Sequence, residues 1–123
     1  MPRTLLTLLL SIIPSVAFAG SATAGHGFAC DMRAMTKEER TRHAALAAEL
    51  FAAVQEQREL ANGYALRLPA ERWLDAARWA ELERKCCPFF AFELDLAAER
   101  GPLWLRITGR AGVKEFMKEE LGL

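Results

Sequence analysis

Three cysteines, Cys30, Cys86 and Cys87, and two histidines, His26 and His43, are the residues of this 123-residue chain best equipped for chemistry beyond packing. Cys86 and Cys87 are adjacent, in "ERKCCPFFAFEL", where a charged helical pattern gives way to an alternating one. Thiolates are the soft ligands that select copper(I), zinc and other thiophilic ions. Two of them on consecutive residues at a helix end can share one ion if their rotamers turn inward. A third from Cys30 completes a trigonal site suited to arsenic(III) or mercury(II), whereas zinc asks for a fourth ligand. His26, four residues before Cys30, or His43 is placed to supply it.

Other readings of the same residues stay open. Cysteine also behaves as a small buried hydrophobe, and Cys86 and Cys87 both fall on apolar helical sectors. In an oxidising compartment, a disulfide from Cys30 to one of the pair would tie the N-terminal segment to the domain. Bonding the adjacent pair to each other strains the peptide between them. An odd number of cysteines leaves at least one thiol unpaired within the monomer. Thiol oxidoreductase chemistry is the least favoured reading: the pair closes a helix, where the backbone dipole opposes a thiolate, and no C-x-x-C opens one. Arg84 and Lys85 partly offset that dipole. His43 shares a helical stripe with Ala47, Leu50 and Val54, which reads first as a histidine at the edge of the core.

These residues need elements to hold them. "TKEE" predicts a capping box from Thr36 to Glu39. Leu46, Leu50 and Val54, beside Ala47 and Phe51, then recur at helical spacing, and Asn62-Gly63 reads as the stop, giving a helix over residues 37–60. Tyr64, Leu66 and Leu68 alternate as a short strand closed by Pro69. A second helix carries Trp73, Ala76, Ala80 and Cys87 on one sector and Trp79, Leu82 and Cys86 on the next, and Pro88 places Cys87 at its last position. Phe90, Phe92, Leu94 and Leu96 form a strand, "AERGPL" a turn, and Leu103, Leu105 and Ile107 the buried side of the return strand. A last helix puts Val113, Phe116, Met117 and Leu121 on one side. The expected fold is α+β, a small three-stranded sheet with helices on one face, in the order α-β-α-β-β-α. A helical crossover must join the first strand to the hairpin, right-handed if the strands it joins are parallel. The three tryptophans read as packing anchors, except that Trp104 and Arg106 lie on the sheet face opposite the leucines, where a protein partner could bind.

Ahead of this domain, expected over residues 36–123, stand two further segments. Residues 1–19 pair Arg3 with an apolar run and end in Ala17-Phe18-Ala19, the pattern of a secretory signal cut after Ala19, or at a second small-x-small site after Ala24. The apolar run is short of the roughly 20 residues that span a bilayer. Residues 20–31 are small and polar, and residues 20–35 read as a flexible leader. Removing the signal leaves fifteen Lys+Arg against sixteen Asp+Glu, with no basic stripe, so nucleic acid is excluded as a partner on electrostatic grounds. The mature protein is expected in the periplasm or secreted, with no membrane attachment after cleavage. No G-x-S-x-G, H-E-x-x-H, P-loop or dinucleotide fingerprint is present, which leans away from an enzyme.

"ERKCCPFFAFEL", with "GPLWLRITG" and "GVKEFMKEEL" after it, resembles small uncharacterised bacterial proteins that share an E-R-x-C-C-P-F segment, some of them loosely associated with metal-resistance settings. The resemblance spans residues 64–121 and extends to "CDMRAMTKEER". It implies Cys86 and Cys87 as the site, with Cys30 in the same unit. The residues and the resemblance together lead to a soft metal or metalloid ion, zinc, copper, mercury or arsenic, held by Cys30, Cys86 and Cys87 with His26 or His43, in a scavenger or carrier. The alternative is an interaction or structural domain whose cysteines are packed or disulfide-bonded.

Overall fold

The Thr36 hydroxyl accepts from the Glu39 amide and the Glu39 carboxylate accepts from the Thr36 amide, so two otherwise orphaned donors start helix α1, Lys37–Ala52. The computed structural model describes residues 27–123. The expected signal segment, its two cleavage positions and His26 lie outside those residues.

Helix α1 ends sooner than its spacing predicts. The chain leaves the helix at Ala53, and Glu56–Leu60 forms strand β1, paired antiparallel with β2, Gly63–Leu68. Asn62-Gly63 therefore belongs to a tight hairpin in which Leu60 faces Gly63, and it is not the end of a helix. Gly63 is demanded by contact: a Cβ there would stand 1.9 Å from the Ile107 carbonyl oxygen of the next strand. A short 3₁₀ turn, Ala70–Arg72, leads into α2, Trp73–Cys86, and Cys87 caps it with a non-helical backbone ahead of Pro88. Strands β3, Ala91–Leu96, and β4, Leu103–Thr108, form the second hairpin, and α3, Val113–Leu121, closes the chain.

The architecture is α+β, with three α-helices and a four-stranded antiparallel sheet in the order β1-β2-β4-β3. The expected three strands become four, and the element order becomes α-β-β-α-β-β-α. Strands β2 and β3 both run antiparallel to β4, so they are parallel to each other and joined through α2, with β4 inserted between them. Register aligns the core: Tyr64, Leu66 and Leu68 face Ile107, Leu105 and Leu103 in turn, and all six are buried. Leu50 of α1, Trp79 of α2, and Val113 and Met117 of α3 complete that core.

Trp79 is fully buried, with Phe51 and Phe92 meeting its ring edge-on. Trp73 is not an anchor: it is 48% exposed at the start of α2. Trp104 lies half-buried on the opposite sheet face, in the row of Arg67 and Asp95, with the Arg58 guanidinium 4.4 Å from its ring centre. Among the described residues, no helix is long and apolar enough to cross a membrane.

Candidate functional site

The end of α2 positions the cysteines. Cys86 closes the last helical turn and is 2% exposed in the core, while Cys87, released from helical geometry by Pro88, is equally buried and meets a different partner. That partner is Cys30: a Cys30–Cys87 disulfide spans 57 residues of sequence with the Cα atoms 4.7 Å apart. The segment that carries Cys30 is docked on both sides of the bond. The Asp31 amide donates to the Cys86 carbonyl at 2.8 Å, and the Phe28 ring lies 4.9 Å from that of Phe89, two residues beyond Cys87. Met35, within the stretch read as leader, is buried in the core.

Cys86 is left as a thiol beside this disulfide, its Sγ 3.6 Å from that of Cys87. It donates to the Glu83 carbonyl at 3.4 Å and approaches Glu83 Oε2 at 3.9 Å. Burial, with the Glu83 charge adding to it, pushes the thiol from 9.0 up to about 11. The thiol is therefore protonated at neutral pH and a poor nucleophile as it stands.

Glu83 is the residue that the spacing held and the sequence reading passed over. It is the one buried charged side chain among the described residues, at 2% exposure. It lies one turn before Cys86 and Cys87 and one turn after Trp79, on the apolar sector of α2, so a carboxylate on that stripe was the available signal. A buried carboxyl needs a partner, and His43 of α1 supplies it: its Nε2–H donates to Glu83 Oε2. His43 itself is nearly covered, stacked on Trp79 with ring centres 6.3 Å apart.

The structure thus brings three of the five expected ligands together and adds one. The sulfurs of Cys30, Cys86 and Cys87 and a carboxylate oxygen of Glu83 all lie within 4.8 Å of one another, a cluster able to hold a metal ion. His43 stands one residue behind it, bonded to Glu83 and outside the ligand cluster. The cluster opens onto a pocket of about 280 Å³ whose apolar wall is Ala47, Phe51, Trp79 and Leu121.

Three thiolates bonded to one ion at about 2.3 Å in a trigonal plane would stand about 4 Å apart. The Cys86 and Cys87 sulfurs, 3.6 Å apart, are near that spacing, whereas those of Cys30 and Cys87 are bonded to each other and must separate once reduced. The disulfide uses two of the same sulfurs, so ion and disulfide exclude each other. Comparison of the chain with protein-family profiles, curated proteins and solved structures finds no match.

Proposed function

We propose that the protein binds one soft metal or metalloid ion through Cys30, Cys86 and Cys87 when its disulfide is reduced, and serves as a scavenger or carrier. The observation that carries this is the clustering of three sulfurs and one carboxylate within 4.8 Å, with Cys30 partly exposed and the other three residues buried. Two thiols, or a phosphine together with water, supply two electrons and two protons to the Cys30–Cys87 bond, giving two thiols beside that of Cys86. With a bare cation, three S–H bonds break and three protons leave as three metal–sulfur bonds form; with arsenous acid, three As–O and three S–H bonds break, three As–S bonds form and three waters leave.

Charge decides among the ions. Three thiolates cancel a trivalent centre such as arsenic(III), whereas a divalent ion leaves a net negative charge in a buried site, an expense of several kcal/mol. Zinc would in addition draw Glu83 away from His43 to complete a tetrahedron. The site as built favours a trivalent, three-coordinate metalloid. A disulfide of this kind persists in oxidising compartments, which supports a periplasmic or secreted location and makes reduction the step that opens the site.

The disulfide itself favours a second reading, a structural staple that fastens residues 27–35 to the end of α2. Titration separates the two. Reduced protein should bind close to one arsenite or zinc equivalent, followed by thiolate absorbance. Cys86→Ser and Cys87→Ser should each lose that binding by at least tenfold, and oxidised protein should not bind. A reduced, folded protein that binds no thiophilic ion leaves only the staple.

A further inference from the structure

The pocket adjoining the sulfurs is not needed by a bare ion. A bare ion fills only the space between its sulfur ligands, yet about 280 Å³ of space continues from Cys30, Cys86 and Cys87 between α1 and α2. Its wall is largely apolar, with Ala47 and Phe51 from α1, Trp79 from α2, Leu121 from α3 and the half-exposed Met32 at the rim, while His43, Glu83 and Glu120 form its polar part. An apolar cavity of about 150 Å³ is enough to admit a benzene ring. The space here is larger and lies directly beside the ligand atoms.

We propose that this pocket makes the site selective for a thiophilic centre carrying one aryl substituent, an aryl arsenous acid being the type, over the inorganic ion; this rests on the reading of the cysteines as an ion site. The chemistry is an exchange of ligands at constant oxidation state. In C6H5As(OH)2, two As–O bonds and two cysteine S–H bonds break, two As–S bonds form, and two waters leave. Arsenic remains As(III), and the ring takes the third position around it. Two of the three cysteines suffice, and Cys86 and Cys87, with sulfurs 3.6 Å apart, already have the separation for one such bridge. The ring then enters the pocket against Phe51 and Trp79, where apolar area leaves water without new polar contacts.

The test uses the phosphine-reduced full chain and three probes: inorganic arsenite, methylarsonous acid and phenylarsonous acid. A simple 1,2-dithiol gives the reference for intrinsic arsenic–sulfur affinity. The phenyl-to-methyl affinity ratio on the protein should exceed that on the dithiol by about tenfold, the effect of burying part of one ring. Ala47→Leu, which narrows the pocket, should bring the ratio back to that of the dithiol and leave arsenite binding within about twofold. As a measurement independent of any variant, phenyl protons of the bound ligand should show nuclear Overhauser contacts to the rings of Phe51 and Trp79. A ratio equal to that of the dithiol, or a bound ring without those contacts, overturns the pocket assignment and leaves ion binding standing. Failure of all three probes to bind overturns the ion site and the pocket assignment with it.

Discussion

At the scale of single residues, the chemistry of the site is set by burial. Cys86 has the ordinary thiol value of 9.0 when unfolded and about 11 when folded, so between those values the folded state holds the proton that the unfolded state has lost. Its contribution is fully present below pH 9 and fades as pH rises through 11. Urea unfolding of wild type and Cys86→Ala between pH 8 and 11 should show wild type losing more stability as pH rises; parallel curves would mean the thiol is not held protonated by its surroundings. Glu83 and His43 make a second test. His43→Ala removes the donor to a buried carboxyl and should cost about 1–3 kcal/mol at neutral pH, measured by the same unfolding. His43→Gln, which keeps an N–H, should recover part of the loss. Much of this was legible: the cysteine cluster followed from residue types, and Pro88 placed Cys87 at the helix end. The choice of Cys87 over Cys86 as the partner of Cys30 was not, because it depends on which way each side chain leaves the last turn of α2.

At the scale of elements, one hairpin was hidden and another carries strain. Strand β1 is an edge strand whose residues are mostly exposed, so it shows no apolar alternation, and its charges suit a helix surface equally well. The legible sign was the end of the α1 stripe: after Val54 the next stripe positions are Gln57 and Arg58, both polar and exposed. Asn-Gly is both a helix stop and a hairpin signal, and only pairing with β2 decides between them. In the β3–β4 turn, Gly101 donates to the Ala98 carbonyl, and the two central residues, Glu99 and Arg100, both sit at φ 58°. That conformation suits Asn and Gly and strains other side chains. Glu99→Asn combined with Arg100→Gly should therefore stabilise the protein by about 1 kcal/mol, seen as a rise in thermal midpoint with unchanged ion binding. No change, or a fall, would show that the turn is not strained.

At the scale of the whole molecule, the disulfide joins the two ends of the story. The α+β class and the single covered face of the sheet were readable from alternation, since Tyr64, Leu66, Leu68, Leu103, Leu105 and Ile107 are the residues that pack under the helices. Strand order was not, because the insertion of β4 between β2 and β3 is fixed by contacts between segments distant in sequence. Closing a loop of 57 residues restricts the unfolded chain, and reduction should lower stability by about 4 kcal/mol on the chain-entropy account. If the three sulfurs then take one ion, binding to the folded state alone restores part of that loss, so reduced protein should melt higher with arsenite than without it. The measurement that goes most directly to the ion site is native mass spectrometry of the phosphine-reduced chain with one equivalent of arsenite. The account predicts a single adduct of one arsenic with three protons displaced, lost in Cys30→Ser, Cys86→Ser and Cys87→Ser alike and absent from the oxidised protein. An adduct that forms equally well on the oxidised chain, or none on the reduced and folded one, would contradict it.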